Sequence, residues 1–159
     1  MKITVISVGK IKEKFFNEAA REYIKRLSKF CTLSEEIIQD ERADEGYSDK
    51  ETERVKCLEG QKILKKLRDK SFVIALCIDG AQLSSTELAE KIKRLGIEGN
   101  SDITFIIGGS NGLSDEVIKK ADMRLSFSKM TFPHRLFKII LLEQIYRAFK
   151  INAAESYHK

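Results

Sequence analysis

Phe72-Val73-Ile74-Ala75-Leu76-Cys77-Ile78 runs apolar without a break and closes on Asp79-Gly80. A strand with one face in water alternates polar and apolar residues. A run with no polar side predicts a strand covered by helices on both faces, as in a parallel sheet. The flanking segments supply such helices. Upstream, Ser48-Asp49-Lys50-Glu51 reads as a capping box. It opens a helix that buries Val55, Leu58, Ile63 and Leu67 and carries Lys62, Lys65, Lys66 and Arg68 on the solvent face of its far end. Downstream, Ser84-Ser85-Thr86-Glu87 opens a second helix, with Leu88, Ala89, Ile92 and Leu95 facing inward and Gly96 as its C-terminal stop.

The alternation continues in both directions. Lys2 to Val8 reads as a buried strand, and Gly9-Lys10 turns from it into a helix with the stripe Phe16, Ala20, Tyr23, Ile24 and Leu27. A weaker strand spans Leu33 to Ile38, and Asp40 to Tyr47 is a polar loop. Further on come a strand from Ile103 to Ile107, a short helix from Asp115 to Ala121 and a short strand from Met123 to Phe127. The last helix begins at Pro133, the chain's only proline, whose missing N–H costs nothing in a first turn. Leu136, Phe137, Ile139, Ile140, Leu141, Leu142, Ile145, Tyr146 and Phe149 cover more than one face of that helix. It must be buried on more than one side, by a second copy of the chain in a symmetric dimer or, alternatively, at the centre of a monomer.

The 159 residues suit one domain spanning 1–159, and a chain of this length buries about 68–70% of the surface that its unfolded form exposes. With 42% hydrophobic and 33% charged residues, the composition is that of a soluble globular protein. A net charge of +5 and a pI near 9.0 favour an anionic partner, nucleic acid first, although an ordinary solvated surface has the same balance. The N-terminal apolar run is too short for a signal segment and no later run reaches bilayer length, so a cytoplasmic protein without membrane contact is expected. Cys31, Cys57 and Cys77 are odd in number and widely spaced, and only two histidines are present. Neither a disulfide framework nor a metal site is expected.

Two loops attract attention as a site. Phe105-Ile106-Ile107 runs into Gly108-Gly109-Ser110-Asn111-Gly112-Leu113, and the last strand runs into Phe127-Ser128-Lys129-Met130-Thr131-Phe132-Pro133-His134. Both loops leave the carboxyl ends of strands, where α/β sheets bind ligands. The glycine loop lacks G-x-G-x-x-G spacing and a ribose-binding acid, and no Gly-Lys-Ser/Thr follows it. Dinucleotides and triphosphates are therefore disfavoured. No nucleophile elbow, metal-ligand helix or paired-carboxylate site is present either. By itself the loop reads equally as a tight turn.

In combination these segments are specific. Ile106 to Gly112, Leu125 to His134, Glu143-Gln144-Ile145-Tyr146-Arg147-Ala148 and Tyr157-His158-Lys159, with Met1-Lys2-Ile3 and Val8-Gly9-Lys10 at the start, resemble the ribosomal large-subunit methyltransferase H (RlmH) family of the SPOUT class. The resemblance runs end to end. It implies a mostly parallel α/β sheet flanked by helices with a C-terminal trefoil knot, one of the rare exceptions to unknotted topology. It also implies a homodimer that binds S-adenosyl-L-methionine and methylates N3 of a pseudouridine in helix 69 of 23S rRNA on assembled ribosomes.

The cofactor site that the resemblance implies falls on Leu76, Gly108, Phe127, Ser128, Lys129, Met130, Thr131 and Phe132. Adenine needs an apolar slot with backbone partners, and a glycine admits the ribose and methionine part without a Cβ clash. Leu76 and Phe127 also read as plain core residues. Methyl transfer to a ring nitrogen needs alignment and loss of a weakly acidic N–H proton. The candidate helpers are Arg147, Tyr157 and His158. Glu143 offers Arg147 an ordinary i−4 helix pair, and His158 lies close to the chain end, where disorder is common. Two alternatives stay open: a non-catalytic RNA-binding module, and an enzyme on another substrate, such as a flavodoxin-like protein or a SPOUT methyltransferase of tRNA.

Overall fold

The structure, a computed structural model, describes residues 1–41 and 48–157. Its elements are β1 (Lys2–Val8), α1 (Lys14–Leu27), β2 (Thr32–Ile38), α2 (Asp49–Leu64), β3 (Phe72–Gln82), α3 (Ser85–Ile97), β4 (Asp102–Ile107), α4 (Asp115–Lys120), β5 (Met123–Ser126) and α5 (His134–Asn152). The five strands form one parallel sheet in the order β2-β1-β4-β3-β5. Successive side chains of a strand point to opposite faces. Ile3, Val5, Ile74, Leu76, Ile103, Phe105 and Ile107 therefore enter one core, which α1, α3 and α5 cover with Leu27, Leu88, Ile92, Leu95, Leu141, Leu142 and Ile145. Ile6, Val8, Val73, Ala75 and Ile106 enter the other, against Ile63 of α2 and Val117 of α4. Helices on both faces are what the unbroken apolar run at Phe72 predicts.

Local signals explain the boundaries. At Ser48 and at Ser84 the hydroxyl accepts the N–H of the third helical residue while that residue's carboxylate takes the cap N–H, so both expected capping boxes form. Gly96 is not the stop of α3. It stays inside the helix against Met1, and Gly99, at φ +87°, turns the chain out. Three of the four basic residues at the far end of α2 and just beyond it are paired rather than free. Lys62 pairs with Glu41 of the loop after β2, Lys66 with Glu36 of β2 at 3.0 Å and Arg68 with Asp102 of β4 at 2.9 Å. Arg68 also donates to Thr4 Oγ1 at 2.8 Å.

Strand β3 does not end at Asp79-Gly80. Leu125 pairs first with Leu76 and again with Ala81, with an irregularity between. A Cβ on Gly80 would stand 2.6–2.7 Å from the Leu125 backbone, so only glycine lets β3 cross β5 this closely and run on to Gln82. The polar loop expected at 40–47 is described only to Glu41; its remainder, 42–47, lies outside the described residues.

Candidate active site

The carboxyl ends of β4, β3 and β5 are neighbours, and a cavity of about 720 Å³ opens over them. Its floor is Leu76, Cys77 and Ile107; one wall is the loop from Gly108 to Leu113, and the other is the loop from Ser126 to His134.

The glycine wall is a folded object with its own constraints. Gly109 and Gly112 form an isolated antiparallel bridge, the Gly112 N–H donates to the Gly109 carbonyl at 3.1 Å, and Gly112 has φ +82°. A Cβ on Gly108 would stand 2.7 Å from the Gly112 carbonyl. Glycine at 108 is thus required first by the loop's own backbone, a nearer constraint than the ligand clash expected from sequence. Beneath the loop lies Glu59, which is 4% exposed. Its Oε1 accepts the Glu41 N–H at 3.0 Å, and its Oε2 would be 3.0 Å from a Cβ on Gly109. Burial, with Asp40 and Glu41 close by, pushes its carboxyl above the usual range. The sequence places Glu59 among α2's polar positions, and its Glu-Gly neighbour pair is the only local hint of close packing.

The opposite wall is aromatic. The rings of Phe127 and Phe132 pack on Phe137 of α5 with centroids 5.1 and 6.1 Å apart, the first edge-on and the second stacked. Ser126 Oγ donates to the Ser128 carbonyl at 3.0 Å, and Ser128 Oγ accepts the Met130 N–H at 2.9 Å, which fixes the turn between the rings. Met130 itself is 73% exposed at the rim.

Of the residues expected to bind the cofactor, Leu76, Gly108, Phe127, Ser128, Met130, Thr131 and Phe132 line this one cavity; Lys129, exposed, does not. Cys77 and Ile78 line it as well, as do Leu113 and His134 of the two loops, none of them among the residues expected to bind the cofactor. Burial raises the Cys77 thiol to about 11, so it stays protonated near neutral pH. A Cβ on Gly9 would come within 3.3 Å of His134 Nε2.

The proposed helpers are elsewhere. Arg147 lies 13 residues along α5 from His134, about 20 Å at 1.5 Å per residue. Its Nε and Nη2 donate to Glu143 Oε1 at 2.9 and 2.6 Å, and its guanidinium stands 4.8 Å over the Tyr157 ring. The Tyr157 hydroxyl donates to the same Glu143 oxygen at 3.3 Å. Burial, followed by Tyr23 and Glu143, pushes this phenol to about 12, so it holds its proton near neutral pH. Arg147 and Tyr157 meet each other and Glu143, but not the cavity of their own chain. His158 lies outside the described residues. Among the described residues no group of three His, Cys, Asp or Glu side chains is placed to hold a metal, and no helix is long and apolar enough to cross a membrane.

A parallel α/β sheet with a ligand-sized cavity between a glycine loop and an aromatic loop, at the carboxyl ends of the strands, has the form of a nucleotide-type binding site, and comparison with known proteins gives the class. A family described as "Predicted SPOUT methyltransferase" matches residues 1–158, and the chain belongs to the SPOUT methyltransferase family. Its curated relatives include proteins named Ribosomal RNA large subunit methyltransferase H. That of Bifidobacterium adolescentis is 55% identical, that of Clostridioides difficile 56% and that of Clostridium perfringens 52%, each over the whole of both chains. The RlmH resemblance is thereby upheld. Among solved structures, a Legionella pneumophila methyltransferase with bound SAM superposes with a TM-score of 0.51 at 12% identity, over 93% of this chain and 66% of that longer one. At that identity the likeness speaks to the fold, which it shares. The expected C-terminal knot is implied by family membership.

Proposed function

We propose that the chain, acting as one domain over residues 1–159, is a cytoplasmic S-adenosylmethionine-dependent methyltransferase of large-subunit rRNA. Its target is N3 of a pseudouridine in helix 69 of 23S rRNA, on the assembled ribosome. The relatives' names motivate the rRNA substrate. The observation that carries the reading is the convergence of residues from β3, the glycine loop and the 127–132 loop on one cavity. The lining fits the cofactor: Leu76, Phe127 and Phe132 offer apolar surface to an adenine, and the two loops offer backbone polar groups and hydroxyls to its edge and sugar. When bound, S-adenosylmethionine supplies an electrophilic methyl group on a sulfonium. The chain's own part is to exclude water, align the uracil ring and receive its proton.

The working unit is a homodimer. Leu136, Ile140, Glu143 and Arg147 share one face of α5, and Leu136 and Ile140 are half-exposed and belong to neither core. In a two-fold pair packed through that face, antiparallel α5 helices set each Arg147 end beside the partner's cavity end. The Glu143–Arg147–Tyr157 cluster then serves the partner's cavity, which resolves its distance from its own. The deciding experiment supplies labelled cofactor with ribosomes, isolated large subunits or protein-free 23S rRNA and maps the methylated nucleotide. Methylation at N3 of a helix 69 pseudouridine, greatest on ribosomes, is the expected result. Transfer to tRNA alone, or cofactor binding without transfer to any RNA, would replace this reading.

A further inference from the structure

We propose that His134 is a catalytic residue, the proton acceptor for the ring N–H when methyl transfer occurs at the cavity; this rests on the rRNA methyltransferase reading above. Among the described residues that line the cavity, the side chains are aliphatic, aromatic, hydroxyl, amide or thioether, apart from Cys77 and His134. Cys77 is held as a thiol by burial. His134 is therefore the one described lining group that takes up a proton reversibly near neutral pH.

Its placement is built. His134 is the first residue of α5, directly after the loop that forms the aromatic wall, so its backbone is set by both. Gly9, at φ +84°, passes the imidazole with no side chain in the way; any Cβ there would press on Nε2 at 3.3 Å. Next to it, Arg135 of α5 pairs with Glu13 at the start of α1, which ties the first turn of α5 to the first turn of α1. The charged groups that face the imidazole are Arg135, Asp40 and Glu13. Burial first, and Arg135 second, hold it below the ordinary histidine value of 6.5, with Asp40 and Glu13 opposing. These surroundings favour the neutral ring, the form able to accept a proton.

In the step, a nitrogen of the neutral imidazole accepts the ring N–H proton. The electron pair left on the ring nitrogen forms the bond to the methyl carbon, the carbon–sulfur pair leaves with sulfur as a neutral thioether, and the imidazolium returns its proton to water. Tyr157, a phenol at about 12 and bonded to Glu143, is suited to orienting the ring instead.

Two measurements test this. In the wild-type protein, the His134 imidazole is titrated by NMR in the free enzyme, with His134→Gln identifying its signal against His158. The acid limb of kcat/KM on ribosomes should fall at the same pH, below the usual histidine range. In His134→Ala, calorimetry should show cofactor affinity little changed, while kcat drops by about 100-fold, the acid limb disappears and added imidazole restores part of the rate. His134→Gln, which keeps the volume, should be as slow but unresponsive to imidazole. A variant that keeps both wild-type kcat and the acid limb overturns the proposal, as does a titration that misses the kinetic limb. A wild-type protein inactive on every RNA would instead remove the rRNA reading beneath it.

Discussion

Single residues decide the geometry of the cavity, and the glycines are not equivalent. Gly108 is hemmed in by the Gly112 carbonyl at 2.7 Å, whereas a Cβ on Gly112 meets nothing within 4 Å and would suffer only from its positive φ. Gly108→Ala must move the loop; Gly112→Ala should cost about 1 kcal/mol of backbone strain and leave the wall recognisable. Calorimetry with S-adenosylmethionine should therefore show at least a roughly tenfold loss for Gly108→Ala and a smaller one for Gly112→Ala. Equal affinities would mean that the loop does not form the cofactor wall. Glu59 supplies a second residue-scale test. A carboxyl whose folded pKa is raised favours the folded state when protonated, so it stabilises at low pH, and that contribution is lost as pH rises from the ordinary 4.5 through the raised value. Glu59→Gln keeps an acceptor for the Glu41 N–H and never ionises. It should raise Tm at neutral pH and have little effect in acid; a fall at neutral pH would show that the charge itself is required.

At the scale of elements, α5 has one face in the core and another that packs in neither core, the face of the proposed interface. Leu141, Leu142, Ile145 and Ala148 are fully buried against the sheet and the neighbouring helices, so Ile145→Ala should cost about 3 kcal/mol and lower Tm by roughly 10 °C in a chain of this size. Ile140 lies half-exposed on the other face and packs in neither core. Ile140→Asp should leave the fold's circular dichroism intact and convert the proposed dimer to a monomer in light scattering. Unfolding of Ile140→Asp, or an unaltered mass, would remove this face as the interface. The second turn of α5 also holds an ion pair, Lys138 with Glu35 of β2 at 2.5 Å, with Lys138 only 4% exposed. Such a pair contributes less to net stability than to fixing where the start of the helix lies against β2, since desolvation offsets most of the attraction.

The whole molecule raises the question of how one small domain grasps an rRNA. A net charge of +5 per chain gives the protein a phosphate-seeking field, although Lys62, Lys66 and Arg68 are already bound to acids and are poor candidates for contact. Ribosome binding should weaken steeply as salt rises while cofactor binding responds little; parallel slopes would leave the charge without a role. Subunit mixing tests the division of labour. Gly108→Ala and a chain ending at Ser156 are each expected to be inactive, one through its cavity and one through its tail. Exchanged at equal amounts, half the dimers are mixed, and each mixed dimer has one intact cavity facing one intact tail, so about a quarter of wild-type activity should return. Continued inactivity with exchange confirmed by mass spectrometry would place the tail's action within its own chain.

Element order, both capping boxes and the buried character of β1, β3 and β4 were legible in the chain, because hydrophobic periodicity and caps are local quantities. The resemblance named the family and seven of the cavity's lining residues for the same reason: its motifs lie in contiguous segments. What could not be read locally was every feature that depends on two distant segments approaching. Gly80 looked like a strand end until Leu125 crossed it, Gly96 looked like a helix stop until Met1 filled its side, and Lys66 and Arg68 looked free until β2 and β4 brought acids to meet them. Glu59 beneath the glycine loop and His134 against Gly9 are of this kind too. A chain's own pattern determines which residues must be buried; which polar group faces which backbone is decided only when the sheet order brings the ends of β1, β4, β3 and β5 together.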